Sequence, residues 1–518
     1  MENTSHKIVF GDFQTPLDLA RKVCHCLARK GLEPATVLEP TCGEGTFLQA
    51  CLETFAHLQY VLGTDINPNH VEKTRSRLCA WKVPFEVQQA DFFTVPWQDI
   101  VERLPEPILV IGNPPWVTNS ELGIYNINNL PPKQNRDNFA GIHALTGKSN
   151  FDISEWILRR CVECLTNKHA IIAMLCKTAV ARKVLKYAFQ QELPVASAEV
   201  YLLDAQKVFG ISVSACLLFL ELAPKGRSKE WRVFSSLDGE RLERICGLRD
   251  NLIIADISTY EKWQHLRAKC PSGWRSGIKH DCAGVFELRT HEGRFINKLG
   301  ETVDIEPEHL FPLLKSSDLA NHKEPSRWLF IPHQSLADDP VQLSISAPKA
   351  WNYLLAHAHL LDARKSSIYR LRPRFSLFGL GPYSFTPWKV AISGLYKKLH
   401  FVPVSPHDNR PVVFDDTCYF FPCDTEAECR ALHTLLQSEP AWEFFSSLIF
   451  WDEKRPITAE LLNLLDLYAL AQHVTDGDER LIAKLVERQR ACRQKPSDDS
   501  LQASLFEFEE EALPGFRS

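Results

Sequence analysis

The run Leu109-Val110-Ile111-Gly112-Asn113-Pro114-Pro115-Trp116 carries an apolar segment into a corner that no strand can continue. Proline donates no N–H and fixes φ, so the run Ile108–Ile111 must end there in a rigid turn. Open α/β folds keep their ligands at the carboxyl ends of strands. The Asn113 side-chain oxygen and the Pro114 carbonyl are two acceptors that can each take one N–H of an aromatic amino group. Such a nitrogen is a poor nucleophile because its lone pair is delocalised into the ring. Two acceptors favour a more tetrahedral nitrogen with the pair localised, able to attack a sulfonium methyl in line. No strong base is needed first, since the proton leaves more easily once the nitrogen is methylated. The first proline fixes where its carbonyl points, and Trp116 offers a flat face to stack on a base.

A second constellation precedes it. In Thr36-Val-Leu-Glu-Pro-Thr-Cys-Gly-Glu-Gly-Thr-Phe-Leu48, Glu39 ends a strand, Gly43 and Gly45 make a tight turn, and a helix follows. Glycines there let backbone N–H groups approach a ligand closely, and the start of the helix favours an anionic or polar group. Asp65 ends the next apolar run, where an acid can accept both hydroxyls of a ribose. Asp91 and Phe92 follow a third run, an acid for an adenine amino group beside an aromatic that can cover the ring. Three acids at three successive strand ends are hard to explain by stability, because buried carboxylates without partners are costly. Leu48 stands where the dinucleotide fingerprint needs its third glycine, which argues against a nicotinamide cofactor.

The elements that position these residues are legible from periodicity. Thr15 can cap a helix, Pro16 suits its first position, and Leu17, Ala20, Val23, Cys24 and Leu27 repeat at helical spacing until Gly31. Apolar runs recur at 36–38, 60–62, 85–87, 108–111, 170–176, 199–203 and 213–220, most of them separated by helical patterns. That alternation predicts an α/β fold: a Rossmann-like domain with a mostly parallel sheet and an antiparallel hairpin at its edge. Between Trp116 and Phe151 there is no periodicity, the mark of a functional or disordered loop. The expected organisation is a cofactor-binding domain over 1–224, an α+β domain over 225–423, and C-terminal helices with an acidic tail over 424–518, the tail after Lys495 fraying.

Composition narrows the class. With 518 residues, 45% hydrophobic and 24% charged, the chain is an ordinary globular protein of more than one domain. Sixteen scattered cysteines behind no leader-like start suit reduced thiols in a cytoplasmic, bacterial protein. Cys24/Cys26 and Cys161/Cys164 lie in helical patterns without a second pair at zinc spacing, so no metal is expected. No apolar run approaches about 18 residues, which excludes a membrane span. The net charge of −5 gives no global sign of nucleic-acid binding, so that case rests on local clusters.

Residues 14 to 221 resemble the catalytic domain of the gamma-class, adenine-specific amino-methyltransferases of bacterial restriction–modification systems. The resemblance runs through Phe13-Gln-Thr-Pro16, Glu39-Pro-Thr-Cys-Gly-Glu-Gly-Thr-Phe47, Asp65, Ala90-Asp-Phe92, Asn113-Pro-Pro-Trp116 and 208–221, in that family's order. It implies S-adenosylmethionine as cofactor, held by Thr15, Pro16, Glu39, Pro40, Thr41, Cys42, Gly43, Gly45, Asp65, Ile66, Asp91, Phe92 and Asn113. It implies that Asn113, Pro114, Pro115 and Trp116 form the catalytic corner and that Phe209 is the second stacking residue around a flipped base. Tryptophan at 116 departs from the tyrosine or phenylalanine commoner there. Segments 274–288 and 312–319 are similar to the target-recognition region of the same enzymes.

Residues 364 to 398 hold eight Lys or Arg and no acid, interleaved with aromatics, as contact with duplex DNA requires. Lys279, Lys365, Arg370, Arg372, Arg374 and Lys389 are the candidate DNA contacts, with Lys279 and His280 in a polar turn. The expected enzyme is a site-specific DNA adenine methyltransferase that acts as a monomer on duplex DNA, beside a separately encoded restriction endonuclease. The same tetrapeptide also serves methylation of cytosine N4, RNA or protein glutamine. A degenerate, DNA-binding member of a defence complex is the non-enzymatic alternative. Asp452-Glu453-Lys454 is the only nuclease-like triplet, with nothing distinctive before it.

Overall fold

The computed structural model describes residues 14–117, 152–239 and 241–474. The aperiodic stretch beyond Val117 and the acidic tail lie outside the described residues. The chain divides into two compact units, Met1–Ile257 and Ser258–Ser518. Among the described residues no helix is long and apolar enough to cross a membrane.

The first unit is built on strands β1 (Thr36–Glu39), β2 (Tyr60–Asp65), β3 (Phe85–Gln89), β4 (Ile108–Gly112), β5 (Ala170–Lys177), β6 (Val195–Asp204), β7 (Ser214–Leu222), β8 (Glu230–Phe234), β9 (Leu242–Arg249) and β10 (Leu252–Ile254). They form one sheet in the order β10-β9-β8-β6-β7-β5-β4-β1-β2-β3. The pairs β3–β2, β2–β1, β1–β4 and β4–β5 are parallel. Every residue of β1 and β4 is buried, as expected of strands covered on both faces. Helix α1 (Leu17–Arg29) buries Leu19, Ala20, Val23, Cys24 and Leu27, and α2 (Thr46–Thr54) buries Phe47, Leu48 and Cys51. These side chains join Val37, Val61, Leu109 and Ile111 in one core. Strand order reverses between β1 and β4, the switch point at which such sheets open a crevice.

The hairpin β6–β7 is antiparallel as expected, yet it does not end the sheet. Strand β8 pairs in parallel with β6, and β9 and β10 follow. The first unit therefore runs past 224 to Ile257. Glu199 on β6 is the tie. Its carboxylate, 1% exposed, accepts from Lys30 at 2.6 Å, from Arg232 of β8 at 2.5 Å and from the Tyr201 hydroxyl. Sequence periodicity carries no trace of a bond between residues so far apart.

The second unit holds a six-stranded sheet containing Glu287–His291, Leu310–Leu314 and Arg327–Phe330, and a four-stranded one containing Trp388–Ser393 and Cys418–Cys423. The helix Glu426–Leu436 belongs to this unit, since the Cys429 thiol donates to the Lys389 carbonyl at 3.3 Å. The helices after 424 are thus part of the same body rather than a separate segment.

Burial alone would raise the pKa of the Glu199 carboxyl, but its hydrogen bonds and the charges of Lys30 and Arg232 hold it below the usual carboxylate range. A carboxyl depressed on folding stabilises above its unfolded pKa, and that contribution is lost as pH falls through the folded value. Glu199→Gln should lower stability at neutral pH by about 1–3 kcal/mol and flatten the acid loss, read by urea unfolding at pH 7 and pH 4.

Candidate functional site

Glu39, Asp65 and Asn113 stand at the carboxyl ends of β1, β2 and β4, with Asp91 and Phe92 just after β3. The turn after β1 is fastened to β2 by backbone bonds, Cys42 N to Thr64 O at 2.8 Å and Thr64 Oγ1 to Pro40 O at 2.8 Å. Gly43 N donates to Asp65 Oδ2 and Asn67 N to Asp65 Oδ1, each at 2.8 Å, with His70 Nδ1 3.5 Å from the same Oδ1. Gly45 sits at φ +75, and a Cβ there would stand 2.5 Å from Thr74 Cγ2, so no other residue fits. Gln14 closes the turn from above through Oε1, which accepts Glu44 N at 3.2 Å. Sequence reading gave Gln14 no role.

Glu39 is 3% exposed, and a Cβ on Gly112 would lie 3.3 Å from its Cγ and Oε1. Burial, reinforced by the Asp65 charge, pushes its pKa well above the carboxylate range. Among the described residues Glu39 Oε2 and Thr41 Oγ1 are buried without a hydrogen-bond partner. Native interiors rarely leave such atoms unpaired, so the pair suits a donor that arrives with a ligand. Cys42 is no nucleophile, because burial and then the Glu39 and Asp65 carboxylates raise its thiol pKa.

Ile66, next to Asp65, is 54% exposed, an apolar side chain on an open crevice. Asp91 Oδ1 accepts Phe93 N at 3.0 Å. The Phe92 ring is 6% exposed and lies 5.3 Å from the Trp97 ring. Thr15 is buried, whereas Pro16 is exposed and holds the cap position before α1, so the helix starts one residue later than expected. Among the described residues no group of metal ligands is found.

At the corner, Asn113 and Pro115 are half-buried, Pro114 is buried, and Trp116 is 7% exposed. The indole Nε1 donates to Leu175 O at 3.4 Å, and its ring meets Phe209 at 5.3 Å between centroids and 74° between planes. A base stacked between two rings needs them roughly 7 Å apart, twice an aromatic contact. In this structure the two rings therefore touch each other and leave no space for a base between them. Two residues at the corner escaped sequence reading, Lys177 and Asp152. Lys177 Nζ donates to Trp116 O at 3.2 Å and to Asp152 Oδ2 at 2.7 Å. Only three-dimensional proximity links them.

In the second unit the candidates divide. Lys365, Arg370 and Arg374 are exposed and Arg372 is half-buried. Arg374 pairs with Asp362 through Nε at 3.0 Å and a second N–H at 2.5 Å. Lys389 cannot meet a phosphate: it is 1% exposed, with Nζ donating to Thr386 O at 2.6 Å. Lys279 and His280 are not in a surface turn either. Lys279 is 7% exposed, its backbone bridges Phe378 in both directions at 3.0 Å, and His280 Nε2 lies 3.3 Å from the buried Glu287. The run of positive charge is legible in sequence, but the strand that turns Lys389 inward is not.

No protein-family model matches the chain. Over 470 residues, 90% of this chain and 98% of the relative, it is 44% identical to the type II methyltransferase M.NspV of Nostoc sp.. The chain belongs to the type II methyltransferase family. A 108-residue stretch of this type II methyltransferase is 34% identical to M.CvrRI of Paramecium bursaria Chlorella virus XZ-6E, over 21% of the chain and 25% of the relative. Its fold is similar to that of the type IIL restriction-modification enzyme MmeI, solved in complex with DNA. That likeness has a TM-score of 0.51 at 14% identity and covers 98% of this chain and 77% of the other.

Lys389 generates a test of the second unit. Burial pulls its ammonium down to about 7, against about 10.4 in an unfolded chain. Between those values the unfolded state binds more protons, so stability rises with pH across that window. Lys389→Met should stabilise the type II methyltransferase at pH 7 by on the order of 1–3 kcal/mol and flatten its stability gain between pH 7 and 10, as followed by thermal unfolding.

Proposed function

We propose that the chain is a site-specific DNA adenine methyltransferase, moving a methyl group from S-adenosylmethionine to the exocyclic N6 of an adenine turned out of the duplex. The observation that carries this reading is the Asn113–Pro114 corner at the end of β4, beside Glu39, whose buried Oε2 has no partner among the described residues. When bound, the cofactor supplies a positively charged sulfonium methyl.

Glu39 would accept the amino-acid ammonium, which returns its carboxyl to the charged form that burial disfavours. Asp65, already oriented by the Gly43 and Asn67 amides, keeps lone pairs for the ribose hydroxyls. Asp91 would take the adenine amino group, with the exposed Ile66 offering an apolar contact to the ring. Thr15, Pro16, Pro40, Thr41, Cys42, Gly45 and Phe92 shape the same crevice in this reading.

At the corner, the Asn113 oxygen and the Pro114 carbonyl would each accept one N6 hydrogen of the target and localise its lone pair toward the methyl carbon. Trp116 stacks on the base and Pro115 keeps the corner rigid. An amino group inside a stacked duplex cannot reach this crevice, so the base must be flipped. Lys365, Arg370, Arg372 and Arg374 would bind phosphates or base edges. The DNA-bound MmeI complex supports a duplex as partner. A separately encoded endonuclease is the complement that a modification enzyme implies.

The test is to incubate the protein with labelled S-adenosylmethionine and unmethylated genomic DNA and to identify the modified nucleoside. N6-methyladenine is expected; label on cytosine, RNA or protein overturns the reading. Asn113→Ala should keep its cofactor affinity by calorimetry while transfer falls roughly 100- to 1,000-fold, as when one preorganised polar contact to the reacting group is removed.

A further inference from the structure

We propose that Lys177, held by Asp152, is a positioning residue that fixes the Asn113–Trp116 corner for methyl transfer, an assignment that rests on the reading above. The argument begins with what two prolines remove. Pro114 and Pro115 have no N–H, so a sheet neighbour cannot hold this segment by its donors, and only carbonyls remain to be tied. A carbonyl needs a donor, and a lysine ammonium brings three.

Strand β5 is placed to supply them. Gly112 pairs with Met174, so Leu175, Cys176 and Lys177 run on beside a chain that has left the ladder. Both anchors of Trp116 come from this overhang, Leu175 O accepting the indole Nε1 at 3.4 Å and Lys177 Nζ donating to Trp116 O at 3.2 Å. The ammonium is steadied at 2.7 Å by Asp152 Oδ2, while Oδ1 of the same carboxylate caps the helix Ile153–Cys164 through Ser154 N at 3.0 Å. Ile153 N then donates to Val117 O at 2.9 Å. The Asp152 carboxylate therefore joins a helix start to the end of β5, and the first amide of that helix holds the backbone directly after the corner. Asp152 is 9% exposed and Lys177 29%, so water competes weakly for the pair. Fixing the peptide at Trp116 fixes the stacking ring and, through two rigid prolines, the direction of the Pro114 carbonyl.

A salt bridge that only held the fold together would change stability and every kinetic constant in proportion. A positioning pair acts on the chemical step. The experiment first establishes N6-methyladenine formation by the full-length wild-type chain, so that failure of the underlying reading is seen before any variant is measured. Lys177→Met and Asp152→Asn are then compared with wild type in single-turnover methylation, cofactor calorimetry, KM for DNA and thermal unfolding. Both variants should slow transfer roughly 10- to 100-fold, the scale expected of a reacting group misplaced by about 1 Å, with cofactor affinity and KM within about threefold of wild type. Lys177→Arg, which restores a donor, should recover most of the rate. Asp152→Asn decides the matter if Lys177→Met does not fold, because asparagine still caps the helix. Transfer rates within twofold of wild type, losses confined to cofactor affinity, or no recovery with arginine would overturn the proposal.

Discussion

Two consecutive prolines at the end of β4 impose the constraint to which the rest of the first unit responds. They stop the strand and carry no N–H of their own, so the corner cannot be held as a sheet is held. The registers of β4 with its neighbours end at Val110 and Gly112, so the corner lies beyond the ladder. The neighbouring strand compensates by outrunning β4 and binding the corner from the side, through Leu175 and Lys177. A backbone element is made rigid by side chains so that its acceptors stay available.

The adjoining crevice follows the same logic of acceptors without internal donors. Glu39 is buried, its pKa is raised by that burial, and one of its oxygens is unpaired among the described residues. An uncompensated buried carboxyl costs a few kcal/mol, and folds retain such groups where a ligand supplies the missing partner. Asp65 is the opposite case, since two backbone amides already orient it. One acid keeps a buried oxygen without a partner among the described residues and the other is held by two amides, although both end neighbouring parallel strands.

Local pattern made much of this readable. Each strand from β1 to β7 contains a short apolar run that the sequence shows, most plainly β4 and β5, which are buried along almost their whole length, and Gly43, Gly45 and the prolines mark their own turns. What escaped depends on partners distant in sequence. Glu199 joins Lys30 to Arg232 and so extends the sheet beyond the hairpin, where periodicity read only mixed texture. Lys389 looked like part of a basic surface because charge was counted along the chain, whereas its strand, Trp388–Ser393, is buried on both faces beyond its first residue. Arg374 is exposed, and its pairing with Asp362 spans a turn that composition does not describe. Lys177 and Asp152 carried no motif, and only the overhang of β5 past β4 gives them a role.

The contact between Trp116 and Phe209 sets an energetic condition on the proposed reaction. With the rings 5.3 Å apart, a base enters only if one of them withdraws. Trp116 is pinned at its indole N–H and its carbonyl, and Phe209 closes a five-residue helix before Gly210 at φ +71. Parting the pair forfeits about 0.5–1.5 kcal/mol, and unstacking the base from DNA takes a few more. Stacking on aromatic side chains returns about 1–3 kcal/mol per base. These terms nearly cancel, so the base pocket alone cannot drive flipping. In the proposed reaction the surplus would have to come from contacts with the phosphate backbone, such as those proposed for Lys365, Arg370, Arg372 and Arg374.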